Sequence, residues 1–391
     1  MTDLMTTFPP GAEDQVTLAN WRTAPFNAWA FHHVSEIVPS AVMHNDPAAA
    51  KHLPAGAAIQ MPRCRFDGED LDFEGFCARS HVDALVVLHR GRIVHEHYAN
   101  GMTALDPHIL MSVSKSMLGL LCGVLAERGV LEIDAKATQY VPELAQTAFR
   151  DTTVRDLLDM RSGIHFIEDY LATEGLIVDY RKSTNWNPLA PNETPTDMRA
   201  FLLSLTDTNE APGGNFDYIS PCTDLLGWIV ERATGRSYAS VFSDHILKPM
   251  KAEAPAMITV DLLGAPRTAG GKSLTARTLA QVGQMLVEDG AGIVPKSWID
   301  DIEQNGDPQA WDNGSMKEYF PDLSMHYRSK WYVLRDRGPI MMGIGIHGQN
   351  LIVDRKAELV MARFCSGPEP LHIPSDLAAV SLFENIRTQI C

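Results

Sequence analysis

Apolar runs near both ends of the chain predict β-strands. Residues 84–89, the pair Arg90-Gly91 and residues 92–98 form a pattern typical of a β-hairpin that turns at the glycine. Closely spaced apolar runs towards the C-terminus predict further strands over 331–334, 341–346, 350–353 and 358–364. A last helix is expected over 376–387.

Between these strands the apolar residues recur at helical spacing. One helix is predicted to begin at Ser112 and to end at Gly129, a suitable C-terminal cap. Further helices are expected over 153–160, 224–233, 238–247 and 276–288, whereas residues 169–196 are polar, aromatic and aperiodic and are expected to form a long functional loop. The pattern predicts a single unit over 1–391, with a sheet body from about 30–110 and 260–391 and a helical lobe over about 130–260.

The composition is that of an ordinary globular enzyme. The 391 residues are 45% hydrophobic and 21% charged, and no run approaches the roughly 18 apolar residues of a membrane span. The net charge of −16 disfavours binding to nucleic acid and to anionic membranes. Residues 1–18 lack the basic and apolar regions of a secretory signal, so a cytoplasmic location is expected.

The six cysteines are scattered, with no Cys-x-x-Cys pair and no spacing typical of a zinc site. They are therefore expected to be free thiols, with Cys122 in the core because it lies within an apolar helical run. A catalytic cysteine is the weaker alternative. No cofactor and no metal are expected.

Ser112 and Lys115 form the one Ser-x-x-Lys sequence of the chain. At positions i and i+3 of a helix the hydroxyl and the amine share a face, so a neutral lysine can take the serine proton. A lysine in the first turn opposes the helix dipole, which favours its neutral form. The alternative is that Ser112 is a helix cap and Lys115 a solvated surface residue.

A second proton-transfer group is expected from another part of the chain. Tyr98-Ala99-Asn100 and Tyr218-Ile219-Ser220 are the candidates, and Tyr218 is preferred because it follows the nucleophile and a glycine-rich turn just ahead of a helix. The alternative is a half-buried tyrosine with a satisfied hydroxyl.

The glycine-rich segment 343–350 is the third candidate element. Glycines in a strand permit close approach to the backbone, so this strand can supply an oxyanion-binding amide beside that of the nucleophile. The alternative is an edge strand weakened by its glycines.

In this order and at these separations, the three elements resemble those of the penicillin-recognising serine hydrolases, which include class C β-lactamases, D,D-peptidases and related esterases. Segments 110–116, 140–145, 228–232 and 343–350 resemble the 6-aminohexanoate-dimer hydrolases of this family. The resemblance implies an α+β fold like that of the serine β-lactamases, with a mainly antiparallel sheet flanked by helices and a helical lobe.

The resemblance also implies roles for individual residues. Ser112 would attack the acyl carbon, Lys115 and Tyr218 would share proton transfer, and the amides of Ser112 and Ile346 would hold the oxyanion. The substrate-binding residues that it implies are Tyr170, Arg181, Trp186 and His347.

Three departures from the family pattern bear on the substrate. The chain has no Lys-Thr-Gly, and Ser220 stands where an asparagine often ends the tyrosine motif, which together disfavour β-lactams. Alignment on Trp186 places Arg181 where the nylon-oligomer enzymes carry an aspartate, and a cation there would repel an amine-bearing substrate.

The sequence therefore predicts a cytoplasmic serine hydrolase that cleaves small carboxylic esters or linear amides. A β-lactamase or D,D-peptidase and a non-catalytic binding protein on the same fold are the alternatives. A metal hydrolase that uses His95-Glu96-His97 is disfavoured because no third ligand is indicated. Neither nucleic acid nor membrane is expected as a partner. The sequence neither indicates nor excludes a homodimer.

Overall fold

The computed structural model describes residues 4–391, in which helices pack against antiparallel sheets. The strands are, in chain order, β1 (Ser40–Met43), β2 (Cys64–Phe66), β3 (Glu69–Leu71), β4 (Val82–His89), β5 (Arg92–Tyr98), β6 (His108–Ile109), β7 (Ala256–Thr259), β8 (Lys272–Leu274), β9 (Met325–Arg328), β10 (Trp331–Leu334), β11 (Ile340–Gly345), β12 (Gln349–Asp354) and β13 (Leu359–Cys365).

The largest sheet has seven strands in the order β5-β4-β13-β12-β11-β10-β9, and each neighbouring pair is antiparallel. A second sheet has the order β1-β7-β8-β6, and β2 and β3 form a separate pair. The predicted α+β class with mainly antiparallel sheets is confirmed. The large sheet joins 82–98 to 325–365, so strands far apart in the chain meet in one core.

The helices are α1 (Asn27–Ala30), α2 (Phe73–Ser80), α3 (Val113–Glu127), α4 (Ala137–Tyr140), α5 (Val154–Leu158), α6 (Leu176–Ser183), α7 (Met198–Ser204), α8 (Ser220–Thr234), α9 (Tyr238–Phe242), α10 (Ala276–Val287), α11 (Lys296–Gln304), α12 (Pro308–Asp312) and α13 (Ile373–Ile390). Helix α10 packs on β4, β12 and β13, and α3 packs on β10, β11 and β12. Helix α3 is buried along most of its length, which fixes its first turn between the sheet and α8.

The predicted hairpin is present as β4 and β5. Its turn residues Arg90 and Gly91 both have positive φ, 50° and 71°, which is the conformation that two-residue hairpin turns favour. The hairpin between β9 and β10 was not predicted. It turns at Ser329 and Lys330, which also have positive φ but lack the glycine or asparagine that would indicate a turn.

The predicted loop over 169–196 is wrong in part, because it contains α6. Ile177, Val178 and Tyr180 are buried in this helix while Asp179 is exposed, and eight residues are too few to show a helical period among so many polar neighbours. The helix predicted over 224–233 begins earlier, at Ser220, with a proline in its first turn. The helix predicted over 238–247 is α-helical as far as Phe242. The next residues, Ser243–Leu247, form a wider helical turn.

All six cysteines are free, and Cys122 is buried as predicted. Across residues 4–391, no helix combines the length and the apolar character needed to cross a membrane. The description of residues 1–391 as a single unit with a helical lobe stays a prediction.

Candidate active site

Ser112 lies at the point where a strand passes into a helix. Strand β6 pairs with β8, and the chain then turns through Met111, a buried residue with a φ of 45°, before α3 begins at Val113. A methionine in the left-handed region is uncommon and is held here by its buried surroundings. The turn leaves Ser112 partly exposed at the N-terminal end of a buried helix.

Lys115 lies against Ser112 and is 1% exposed. Its Nζ is 2.7 Å from Ser112 Oγ and 2.8 Å from the carbonyl oxygen of Ala269. The pKa of Lys115 is lowered to about 7, chiefly by burial, which the charge of Glu168 opposes and the charge of Arg267 reinforces. A substantial fraction of the lysine is therefore neutral at neutral pH and can accept a proton from Ser112.

Tyr218 approaches the same pair from the segment before α8. Its ring centroid lies 4.9 Å from Lys115 Nζ, and its hydroxyl is within hydrogen-bonding reach of Ser112 and Tyr332. Burial, followed by the charge of Glu168, raises the pKa of Tyr218, so the phenol is protonated at neutral pH. The structure thus brings Ser112, Lys115 and Tyr218 together.

The other tyrosine candidate has a different environment. Tyr98 lies at the end of β5, and its hydroxyl donates a hydrogen bond to Glu96. Glu96 also forms a bidentate ion pair with Arg277, at 2.6 and 2.7 Å. Tyr98 is thereby held in a network on the edge strand of the large sheet.

The end of β11 passes close to the backbone of Ser112. A Cβ atom placed on Gly345 would lie 2.7 Å from the carbonyl oxygen of Leu110 and 3.0 Å from the amide nitrogen of Ser112. Only glycine allows this approach without displacement of one backbone by the other. Ile346, the next residue, borders the same cavity as Ser112.

Three of the four predicted substrate-binding residues border that cavity, which has a volume of ≈ 30 Å³. Tyr170, Arg181 and Trp186 all lie on its wall together with Ser112. The structure does not bring the side chain of His347 there. Its Nδ1 lies 2.7 Å from the carbonyl oxygen of Gly367, and its ring borders a separate cavity.

Glu168 is a site residue that the sequence patterns missed. Its carboxylate accepts hydrogen bonds from the amide and hydroxyl of Ser220 and, at 3.0 Å, from the hydroxyl of Tyr170. Ser220, which stands where the family pattern often has asparagine, therefore holds the carboxylate of Glu168 near Lys115. The only signal in the sequence is its place two residues before Tyr170, within a polar segment.

Arg22 and Arg267 also border the cavity and were not predicted. Arg22 precedes Ser112 by ninety residues in an irregular arm, and no pattern connects it with the site. Arg267 forms a buried ion pair with Asp224 and contacts the ring of Trp186, with 4.9 Å from guanidinium carbon to ring centroid.

A larger groove of ≈ 850 Å³ adjoins the cavity. Glu168 and Tyr170 border both spaces, while Tyr218, Tyr319 and Leu371 border the groove. The site therefore has a confined side that ends at the arginines and a roomy, largely apolar side next to Tyr218.

The alternative metal site on β5 has no support. Within residues 4–391, no group of three histidine, cysteine or carboxylate side chains is placed to hold a metal ion. His95 and His97 instead contact the ring of Phe73, with centroids 4.7 and 5.5 Å away.

Comparison with known proteins agrees with the fold. The family described as Beta-lactamase matches residues 77–381. The 6-aminohexanoate-dimer hydrolase of Paenarthrobacter ureafaciens is 34% identical over 370 residues, which cover 93% of this chain and 91% of that protein. Esterase EstB of Burkholderia gladioli is 30% identical over 145 residues, 36% of each chain.

A solved structure from Bacillus anthracis, described as a candidate 6-aminohexanoate-dimer hydrolase, superposes with a TM-score of 0.88. It is 25% identical, and the match covers 97% of this chain and 98% of that one. The shared architecture thus extends over almost the whole length of both chains.

Proposed function

This chain belongs to the β-lactamase family of serine hydrolases, and from that premise we propose that it cleaves carboxylic esters or linear amides through an acyl-enzyme formed on Ser112. One observation carries the proposal, namely the 2.7 Å contact between Ser112 Oγ and a buried lysine whose pKa is lowered to about 7. The small-molecule substrate and the cytoplasmic location expected from the sequence belong to the same proposal.

In the first half of the reaction Lys115 is the base. Ser112 Oγ attacks the acyl carbon and its proton passes to Lys115 Nζ. The carbonyl oxygen becomes an oxyanion, which the amides of Ser112 and Ile346 stabilise. A helix N-terminus is a favourable place for this developing negative charge.

Tyr218 is the acid. Because its pKa is raised, the phenol retains its proton at neutral pH and donates it to the leaving oxygen or nitrogen as the bond to the acyl carbon breaks. The protonated Lys115, whose Nζ lies above the ring of Tyr218, then returns a proton to the phenolate. The enzyme is left acylated on Ser112 with Lys115 neutral again.

Water completes the cycle. A water molecule attacks the acyl carbon and gives its proton to Lys115, and the second tetrahedral intermediate is held by the same amides. The bond to Ser112 Oγ breaks, the serine regains a proton from Lys115, and the carboxylic acid product leaves.

The test is nucleophile replacement. Ser112→Ala is expected to abolish the burst and the turnover of p-nitrophenyl butyrate, while Ser297→Ala, at an exposed serine of α11, keeps both. A fluorophosphonate probe followed by mass spectrometry is expected to label Ser112. Retained turnover in Ser112→Ala, or a label on Ser114, would contradict the assignment.

Substrate preference is tested with a panel. Short-chain esters, linear amides and a cephalosporin are compared by kcat/KM, and esters are expected to be cleaved fastest because their leaving groups need the least protonation. Rapid cleavage of the cephalosporin alone would contradict the proposal and support the β-lactamase alternative.

A further inference from the structure

Three guanidinium groups border the confined side of the active site. Arg22 comes from the N-terminal arm, Arg181 from α6 and Arg267 from the segment before β8, and all three border the cavity that contains Ser112. This concentration of positive charge beside the nucleophile has no role in the acyl-transfer steps described above.

The three arginines differ in how their charges are compensated. Arg267 forms a buried ion pair with Asp224. Arg181 donates hydrogen bonds to the backbone carbonyls of Ala172 and Asp169, at 3.1 and 3.0 Å. Arg22 donates to the side-chain carbonyl of Asn187. Over residues 4–391, no carboxylate lies within ion-pair distance of Arg22 or Arg181, so two cations at the cavity are bound by neutral acceptors.

Arg22 also retains an unused donor. Its Nε is buried and has no hydrogen-bond partner among the described residues. A buried donor without a partner costs free energy, and the cost is larger on a charged group. Burial and the charges of Arg181 and Arg267 lower the pKa of Arg22 to about 9, so the protonated form of Arg22 is destabilised here. An anion at this point would relieve both effects.

Glu168 is the carboxylate on the wall of the cavity. Burial lowers the pKa of Arg181 and the charge of Glu168 opposes that effect, so Glu168 compensates part of the positive charge. Its oxygens accept hydrogen bonds from Ser220 and Tyr170. It lies on the wall that the cavity shares with the larger groove, whereas Arg22 and Arg181 border the cavity alone. Three guanidinium groups against the carboxylates of Glu168 and Asp224 leave the confined end with a net positive charge.

The position of Tyr218 indicates which half of a substrate reaches the arginines. Tyr218 borders the larger groove and, in the proposed mechanism, protonates the leaving group there. The acyl half then occupies the confined cavity, which the ring of Trp186 and the side chain of Ile177 also border. At ≈ 30 Å³ against ≈ 850 Å³, the cavity is much the smaller of the two spaces, which favours a short acyl chain over a long one.

We propose that the acyl half of the substrate ends in a carboxylate that pairs with Arg22 and Arg181, so that the enzyme prefers monoesters or monoamides of short dicarboxylic acids such as succinic and glutaric acid. The inference rests on the proposed function and names its substrate class. Guanidinium groups suit a carboxylate because they offer parallel N–H donors. The apolar leaving group lies in the groove.

The test compares matched esters. Monobenzyl succinate and monobenzyl glutarate are set against benzyl butyrate and benzyl pentanoate, with released benzyl alcohol measured by chromatography. In the unmodified protein kcat/KM for the acidic esters is expected to exceed that of the neutral esters at least tenfold, with the preference weakening in salt. Equal values or a preference for the neutral esters would overturn the inference.

Substitutions at Arg22 and Arg181 test whether these residues cause the preference for acidic esters. Arg22→Gln and Arg181→Gln are each expected to lower the ratio of the acidic to the neutral kcat/KM at least tenfold, and Arg22→Lys to restore part of it. Arg63→Gln removes an exposed arginine that pairs with Asp70 and is expected to leave the ratio unchanged. An equal fall for both esters in both glutamine variants would indicate a structural role and overturn the inference.

One measurement needs no variant. The uncleavable ketone 5-oxohexanoate is expected to inhibit hydrolysis of benzyl butyrate competitively at concentrations at least tenfold lower than 2-hexanone, which has a methyl group in place of the carboxylate, and equal inhibition would count against the inference. Cleavage of benzyl butyrate that depends on Ser112 but shows no acidic preference would overturn the inference and leave the proposed function standing. Absence of Ser112-dependent cleavage of every ester and amide tested would overturn both.

Discussion

The backbone carbonyl of Ala269 accepts a hydrogen bond from Lys115 Nζ at 2.8 Å. The amide of the same residue donates to the buried carboxylate of Asp224, also at 2.8 Å. The lysine is therefore held by a backbone acceptor whose own position is fixed by a buried carboxylate. A neutral amine that donates to Ala269 keeps its lone pair for the hydroxyl of Ser112.

The pH dependence of acylation follows from this arrangement. Because burial lowers the pKa of Lys115 to about 7, the amine is protonated below that pH and cannot accept the serine proton. We expect kcat/KM for a neutral ester to rise roughly tenfold per unit up to about pH 7 and to level off above it. This rising part of the pH profile, the acidic limb, is measured by kcat/KM on p-nitrophenyl butyrate between pH 5 and pH 9.

Lys115→Met serves as the check on that assignment. It is expected to lower kcat/KM by about 10³-fold and to remove the limb near pH 7. Lys136→Met, at an exposed lysine that pairs with Asp151, provides the matched control. A limb that survives in Lys115→Met would show that another group is the base.

The charge of Glu168 is expected to influence the pH at which the acidic limb of kcat/KM levels off. Its negative charge favours the protonated form of Lys115 and so raises the pKa of the lysine against the effect of burial. Glu168→Gln removes that charge, and the limb is expected to move to lower pH. Glu74→Gln changes an exposed carboxylate of α2 and should leave the profile in place. A shift to higher pH in Glu168→Gln would contradict this electrostatic role.

The sequence predicted the elements that carry local signals. Helix α3 follows from its apolar period, and the hairpin of β4 and β5 follows from Arg90-Gly91. The contact between Ser112 and Lys115 follows from helix geometry alone, since positions i and i+3 share a face.

The features that the sequence did not predict depend on contacts between distant segments. Arg22 reaches the site because the N-terminal arm packs through Trp21 against Trp186, with ring centroids 5.1 Å apart. Glu168 acquires its role from hydrogen bonds to Ser220, 52 residues later. Neither has a period or a spacing of its own, so only the folded chain reveals them.

The choice between the two tyrosines is open to a direct comparison. Tyr218→Phe removes the proposed proton donor and is expected to lower kcat by at least about 10²-fold, with the larger loss for amides because their leaving nitrogen must be protonated. Tyr98→Phe removes a hydroxyl that donates to Glu96 on β5, and turnover should be unaffected. Steady-state kinetics on a matched ester and anilide distinguish them, and equal losses in both variants would refute the choice of Tyr218.

The close approach of β11 to the nucleophile gives the last prediction. In Gly345→Ala the new Cβ would lie 2.7 Å from the carbonyl oxygen of Leu110 and 3.0 Å from the amide of Ser112, so one backbone must move. Displacement of either proposed oxyanion donor is expected to lower kcat by about 10² to 10³-fold.

Gly11→Ala is the matched control for this variant, since its Cβ would meet just a carboxylate oxygen of Asp14, at an ordinary 3.5 Å. Burst kinetics report both variants, and thermal unfolding shows whether Gly345→Ala remains folded. A folded Gly345→Ala protein with unchanged kcat would mean that the amides of Ser112 and Ile346 do not hold the oxyanion. A loss of kcat with little change in the melting temperature would show that β11 acts on transition-state binding and not through the stability of the fold.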